Sequence, residues 1–265
     1  MAKVGWLVPA AAQTKNMDKF EKELAKIYKG KVSFPDPQFL GGDNNKMKDC
    51  VDKLLTHKPP YDIFAVAGST GVDALMKAGA KKIVQVVGGN PAYHEGKKVT
   101  GHHFDVARVA TAQVDALNSY YPLVKFLTIL YDPTSATSQA ALSAAQIEAA
   151  KKGIWFVNAK PAATPDDVRA YVYNNPIQGM FMLCPSGMFY DATPMQDIIK
   201  IVKAMGAPAI FPEIEFTKGT SWYVLGHNVP KTYVRSARLA KDLLEGNLPK
   251  GREAPDKDNN TKTLF

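Results

Sequence analysis

The stretch Ile63-Phe64-Ala65-Val66-Ala67, followed by Gly68-Ser69-Thr70-Gly71, decides the fold of this chain. Five consecutive apolar residues are typical of a strand covered on both faces, because a strand with one wet face alternates apolar and polar residues. The glycine-bounded loop then leads into a helix that we predict over Val72 to Lys77. Strand, loop and helix in this order are the unit from which parallel α/β sheets are built.

The same unit recurs on both sides of this stretch. A second series follows Phe104, and it repeats the architecture of the first without repeating its residues. In the first series we predict strands at Lys3 to Val8, Lys31 to Phe34 and Ile83 to Val87, and helices at Met17 to Tyr28 and Lys46 to Thr56. In the second we predict a helix ending at Tyr120, strands at Phe126 to Tyr131, Ile154 to Val157, Gly179 to Leu183 and Ala207 to Phe211, and helices at Ser138 to Lys152, Pro165 to Tyr173 and Met195 to Met205.

Length and composition favour two lobes. A chain of 265 residues exceeds the usual size of a single core, and 46% hydrophobic with 22% charged residues is ordinary for a globular protein. No window approaches the roughly eighteen consecutive apolar residues of a membrane span. The net charge of +8 is dispersed in pairs such as Lys81-Lys82 and Lys97-Lys98. We therefore expect a solvated basic surface and no nucleic-acid partner, with acidic lipid headgroups or an acidic protein left open.

The two cysteines indicate no metal and no disulfide. Cys50 falls in a helical pattern and Cys184 at a strand end, without a CxxC pair or a histidine spacing that would complete a zinc site. The chain begins with the strand around Val4 instead of a charged and apolar leader. Either the protein is cytoplasmic, or an export signal was removed.

Loops beyond the carboxyl ends of parallel strands bind ligands, since they lead into helix N-termini with free N–H groups. The loop Gly68-Ser69-Thr70-Gly71 could cap its helix or donate to a carboxylate or phosphate. The hydroxyls after Asp132 could contact a ligand, although a type I turn also explains that composition. Glu213 could receive an ammonium group or face solvent. Cys184 could be a nucleophile, but a buried structural thiol is favoured because no base can be assigned.

Aromatic residues stand at or near these loops. They would suit an aromatic ligand through ring stacking, although each alone is more often a packing residue. They are Tyr93, Phe104, Phe189, Tyr190 and Trp222.

The order of several motifs resembles the ABC transporter substrate-binding proteins of the tryptophan/tyrosine type, over nearly the whole chain. The motifs are Ala67 to Leu75, Val99-Thr100-Gly101, Ile129 to Pro133, Ala207 to Phe211 and Tyr223-Val224-Leu225-Gly226 with its following helix. The resemblance implies a periplasmic-binding-protein-like type I fold, with two Rossmann-like α/β lobes and three crossings between them. The first lobe is then 1–101 with 228–250, the second 102–227, and the tail 251–265.

The resemblance also implies a function. The protein is expected to be a periplasmic or extracytoplasmic monomer, not an enzyme, that needs no cofactor and delivers a small solute to an ABC permease. Closure of the lobes would hold an amino acid, aromatic by our expectation, or a related aromatic carboxylate, with hydroxyl and backbone donors on the acid group and Glu213 on an amine. The expected ligand-binding residues are Pro9, Ala10, Gly68, Ser69, Thr70, Asn90, Tyr93, Thr134, Ser135, Ser138, Ser186, Phe189, Glu213 and Asn228. The loops at Asn90 to Glu95 and at Cys184-Pro185-Ser186 depart from the family pattern.

Two other functions compete with this one. An aspartate/glutamate racemase-like enzyme also has two α/β lobes, but it would need Cys50 and Cys184 both at strand ends. The effector domain of a lactose-repressor-like regulator would need a helix-turn-helix ahead of Val4, and the sequence shows none there.

Overall fold

The computed structural model describes residues 1–9, 11–41, 43–88, 99–102, 105–190, 192–212, 223–224 and 229–247. The chain divides into two compact units, Met1–Phe104 with Val229–Lys257, and Asp105–Asn228 with Asp258–Phe265. The lobe boundaries expected from the sequence stay predictions.

The first unit is built on a parallel sheet that, within the described residues, has six strands in the order β2-β1-β4-β5-β6, with β3 also paired to β1. Its strands are β1 (Ala2–Val8), β2 (Val32–Ser33), β3 (Gln38–Phe39), β4 (Ile63–Ala67), β5 (Ile83–Val87) and β6 (Val99–Gly101). Its helices are α1 (Thr14–Ile27), α2 (Met47–Thr56), α3 (Ser69–Lys77) and, from the far end of the sequence, α8 (Val229–Leu244).

The second unit has a parallel sheet of five described strands in the order β11-β10-β9-β7-β8, so β8 lies at one edge. Its strands are β7 (Phe126–Tyr131), β8 (Phe156–Pro161), β9 (Met180–Leu183), β10 (Ala209–Phe211) and β11 (Tyr223–Val224). Its helices are α4 (Val106–Tyr120), α5 (Ala136–Lys151), α6 (Pro165–Asn174) and α7 (Ala192–Ala204).

The core of the first unit explains why α8 belongs to it. Trp6 of β1 lies with its ring centroid 4.8 Å from that of Phe20 on α1 and 6.1 Å from that of Tyr233 on α8. All three side chains are fully buried. Ser236 donates a hydrogen bond to the carbonyl of Val86 at 3.0 Å. Ring packing and this bond therefore attach the late helix to the early sheet.

One hydrophobic core of the second unit lies between its sheet and the helices α6 and α7. Leu130, Leu183 and Phe211 from three strands pack with Val172 and Ile198 from the two helices. Helix α6 begins with a capping box, because Thr164 accepts from the backbone of Asp167 at 3.1 Å while the Asp167 carboxylate accepts from the Thr164 N–H at 2.9 Å.

The predicted fold class is confirmed, since each unit is a parallel sheet flanked by helices. The strands Ile63 to Ala67, Ile83 to Val87 and Phe126 to Tyr131 have the predicted bounds. The strand predicted at Ile154 to Val157 has the wrong bounds, because β8 follows the register of β7, in which Phe126 is opposite Phe156, and so begins two residues later and ends four residues later than predicted. Strands β3 and β6 were not predicted from the sequence, and helix α3 begins three residues earlier than predicted.

Candidate functional site

The first candidate loop joins β4 to α3 in the first unit. Gly68 has φ 93° and ψ 145°, a region that side chains disfavour, and its N–H donates to the Val87 carbonyl at 2.8 Å. Helix α3 then begins at Ser69, and no side chain of the described residues caps its N-terminus. The first-turn N–H groups, with the positive end of the helix dipole, are therefore arranged for an anionic group.

A buried glutamine supports this loop. Gln85 of β5 is fully buried, and its side-chain amide donates to the Ser69 hydroxyl at 3.2 Å. A Cβ atom at Gly88 would overlap that amide. Glycine at position 88 is thus required for the Gln85 to Ser69 hydrogen bond. Gln85 was not predicted as a site residue, although a single amide inside the apolar strand Ile-Val-Gln-Val-Val is a signal in the sequence that points to it.

The second candidate loop follows β7 in the second unit and is organised by Asp132, which is 1% exposed. One carboxylate oxygen of Asp132 accepts from the backbone N–H of Thr134 at 2.8 Å and from its hydroxyl at 2.7 Å. The other accepts from the hydroxyl of Ser186, which follows β9, at 2.6 Å. A buried carboxylate with several donors is well compensated for its loss of water. Asp132 therefore joins the loops after β7 and β9.

Serine hydroxyls complete this network. The backbone N–H of Asp132 donates to the Ser138 hydroxyl at 2.9 Å, and the backbone N–H of Ser138 donates to the Ser135 hydroxyl at 3.3 Å. Ser135 is thereby the N-cap of α5. In this geometry the hydroxyls of Thr134 and Ser186 both use their protons in hydrogen bonds to Asp132. The role of Thr134 as a donor to an acid group stays a prediction.

The remaining described candidates differ in exposure. Thr70 and Thr134 are exposed and Ser135 is half-buried, whereas Ser69, Ser138 and Ser186 are buried. Pro9 is buried directly after β1. Phe189 is fully buried in the core cluster that also contains Phe211. Contact of each of these residues with a ligand stays a prediction.

Several predicted residues lie outside the described residues. They are the candidate ligand contacts Ala10, Asn90, Tyr93, Glu213 and Asn228, the aromatic residues Phe104 and Trp222, and the tail 251–265. Their predicted roles remain predictions.

Neither thiol has the surroundings of a catalytic group. Cys50 lies on α2, 6% exposed, and Cys184 follows β9, fully buried. Burial raises the pKa of both thiols, and the effect is largest for Cys184. The described residues contain no group of three or more His, Cys, Asp or Glu side chains that could hold a metal ion. In the described part of the chain, every helix is too short or too polar to span a bilayer.

Comparison with known proteins shows likeness in structure only. No family model matches the sequence, and no curated protein matches it either. A conserved domain protein from Vibrio cholerae O1 biovar El Tor superposes with a TM-score of 0.82 at 19% identity, over 98% of this chain and 90% of that one. An ABC domain in complex with L-Trp from Streptococcus pneumonia gives 0.79 at 14% identity, over the same shares.

A third similar structure belongs to a transport system for a different class of ligand. The periplasmic component of an ABC-type sugar transport system from Hahella chejuensis gives a TM-score of 0.71 at 12% identity, over 99% of both chains. At such identities the likeness shows the fold alone, which is the type I periplasmic-binding-protein fold.

Proposed function

We propose that this chain is the solute-binding component of an ABC importer. It captures a small organic ligand with the strand-end loops of its two units and delivers it to a permease without altering it. The fold supports this function, since similar structures include an ABC domain in complex with L-Trp and the periplasmic component of an ABC-type sugar transport system. The protein then acts outside the cytoplasm, as a monomer.

The observation that carries the proposal is the start of α3. Its N-terminus lacks a side-chain cap among the described residues, and Gly68 leaves its approach open, with no heavy atom within 4 Å of a Cβ built there. Thr70 is exposed in the first turn of the helix. Backbone N–H groups with an adjacent hydroxyl are donors suited to a carboxylate. We therefore propose that the acid group of an amino acid or aromatic acid binds there.

The second unit supplies a different kind of contact. Because the Thr134 and Ser186 hydroxyls donate hydrogen bonds to Asp132, their protons are not available to an acid group of the ligand. We propose that this loop faces the donor groups of the ligand, with Glu213 as the partner of an amine. An amino acid has both kinds of group, which favours it over a simple acid. Aromatic side chains near the loops would bind its ring.

Binding is proposed to act through closure of the two units around the ligand. Exclusion of water strengthens the hydrogen bonds to the ligand, and the permease then recognises the closed form. The functional quantity is the difference in ligand affinity between open and closed states. The racemase-like alternative is disfavoured, because Cys50 lies within a helix and burial raises the pKa of both thiols.

A thermal-shift screen tests the proposal. The full chain is heated with aromatic amino acids, aromatic acids and aliphatic amino acids. A ligand at about 100 times its Kd stabilises the folded state by about 2.7 kcal/mol, which raises Tm by about 5 to 10 °C. No response in any class would contradict the proposed ligand chemistry.

The carboxylate contact is tested on whichever ligand responds. Its methyl ester should bind at least about tenfold more weakly by calorimetry, since the ester has no charge for the α3 N-terminus. Thr70→Val should weaken binding about three- to tenfold by removing one hydrogen bond. Lys77→Ala, at the other end of α3, is the control and should bind like the parent. An ester that binds as tightly as the acid overturns the assignment.

A further inference from the structure

A cavity lies in the second unit at the opposite end of the sheet from the loops after β7 and β9. It has a volume of about 270 Å³ and lies between the amino-terminal halves of β7 and β8 and the end of α6. Thr128 and Asn158 are opposite each other in the strand register and both line it, as do Tyr171, Gln178 and the rings of Phe126 and Phe156. Its volume is close to the lower end of the range for small-molecule sites.

One polar group of the cavity is open to a ligand. Thr128 is 4% exposed, and its hydroxyl makes no hydrogen bond to any described residue. Its oxygen is not fully enclosed by protein atoms, so a ligand or solvent molecule in the cavity can bond to it. Within the described chain, the side-chain amide of Gln178 also makes no hydrogen bond.

The neighbouring polar groups are held in place. The Asn158 amide donates to the Tyr171 hydroxyl at 3.0 Å, which orients both side chains. Asn158 still has its carbonyl oxygen and a second N–H, and the Tyr171 hydroxyl still has its proton. Donors and acceptors are therefore mixed over a short distance. Of the described residues that line the cavity, none is Asp, Glu, Lys, Arg or His, so the site favours an uncharged ligand.

The aromatic pair limits the shape of that ligand. The rings of Phe126 and Phe156 have centroids 5.5 Å apart at 49°, and the two residues are 47% and 56% exposed. Because the rings contact each other, no slot between them could hold a flat base. They offer an exposed apolar surface beside the polar groups, to which aliphatic C–H groups can pack.

We infer that this cavity binds a neutral polyhydroxy compound with an apolar C–H face, of which a pyranose sugar is the type. Its hydroxyls would bond to Thr128, Asn158, Tyr171 and Gln178, and its C–H face would pack on Phe126 and Phe156. The inference does not depend on the proposed function, since the cavity is lined by the amino-terminal halves of the strands and not by the loops beyond their carboxyl ends.

Nuclear magnetic resonance of the ¹⁵N-labelled full chain tests the inference. The protein is titrated with the methyl α-pyranosides of D-glucose, D-galactose and D-mannose to about 50 mM, a range suited to millimolar affinity. At least one glycoside should shift the amide signals of residues 126–128, 156–158, 175, 177 and 178 in a saturable way. Saturable shifts confined to the signals of 68–71, 132 and 134–138 would place the sugar in the other loops and overturn the inference.

Matched variants make the test specific to the hydroxyl. Thr128→Val keeps the branched shape and should weaken glycoside binding about three- to tenfold, whereas Thr128→Ser keeps the hydroxyl and should bind within about twofold of the parent. Gln178→Ala, at an exposed position, should weaken binding about threefold without affecting the fold. Tyr173→Ala, on the exposed side of α6, is the control and should change nothing.

Other results would overturn the inference. No saturable shift with any of the three glycosides would do so, as would parental affinity in both Thr128→Val and Gln178→Ala. Adenosine is titrated in parallel. If adenosine shifts the cavity signals and the glycosides do not, the cavity recognises a flat base and not a polyhydroxy ring.

Discussion

The loop after β4 and the loop after β7 hold their following helices in opposite ways. In the first unit, α3 has no side-chain cap among the described residues. Its first residue, Ser69, instead accepts a hydrogen bond from the Gln85 amide on a neighbouring strand. In the second unit, α5 is capped by Ser135, and the Asp132 carboxylate accepts hydrogen bonds from two hydroxyls. The helix after the first loop thus begins without a side-chain cap among the described residues, while the second loop caps its helix with its own serine. Similar hydroxyl-rich sequences therefore support their helices through different hydrogen bonds.

The largest expected effect on stability comes from removing the Asp132 carboxylate, which organises the loop after β7. Asp132→Ala should lower the free energy of unfolding by about 3 kcal/mol, because the buried Ser186 hydroxyl and the Thr134 N–H lose a charged acceptor. Urea denaturation followed by circular dichroism measures the change. Asp166→Ala, whose carboxylate is 84% exposed, is the control and should cost less than about 1 kcal/mol. Equal losses of unfolding free energy in the two variants would show that Asp132 does not organise the loop.

The corresponding change in the first loop is Gly88→Ala. The new methyl group would overlap the Gln85 amide and displace it from Ser69, at a cost of about 2 kcal/mol. In a double-mutant cycle with Gln85→Ala, the second substitution makes room for the first, so the combined loss should be less than the sum of the single losses. Strict additivity would show that Gly88 is not coupled to Gln85.

These two centres also show what the sequence could and could not predict. Strands β4 and β7 were predicted with the correct bounds, because the five apolar residues of β4, and the apolar run of β7 that only Thr128 interrupts, are typical of buried strands. Strand β8 was misplaced, since Lys160-Pro161 is unusual for a strand and only pairing with β7 makes it one. Asp132 was interpreted as a turn residue, because its partner Ser186 is 54 positions away and no local pattern joins them.

A smaller effect on stability should distinguish the N-terminus of α5 from that of α3. Ser135→Ala removes the cap of α5 and should cost about 1 kcal/mol. Thr70→Ala, in the exposed first turn of α3, should change stability by no more than about 0.5 kcal/mol. Thermal unfolding of both variants measures the difference. If Thr70→Ala is the more damaging of the two, the contrast between the loops is wrong.

The smallest expected effect concerns Glu21 in the first unit. Unlike Asp132, its carboxyl group accepts a hydrogen bond from one described side chain. Glu21 accepts from the Trp6 indole at 2.9 Å, and burial raises the pKa of Glu21 more than this hydrogen bond lowers it. A raised pKa means that the folded state holds the proton more tightly, so this contribution to stability is lost as pH rises above about 4.3. Glu21→Gln should show less of this loss in urea denaturation between pH 4 and 6. Identical profiles would contradict the assignment.

The edge strand β8 has a consequence for the behaviour of the protein at high concentration. Its last residues are the exposed Lys160 and Pro161, and in the described residues it pairs only with β7. A foreign strand approaching this edge meets a positive charge and a residue without an N–H donor, so the ladder cannot be extended along its whole length. The two adjacent residues Lys160 and Pro161 therefore oppose the growth of amyloid-like stacks from this edge.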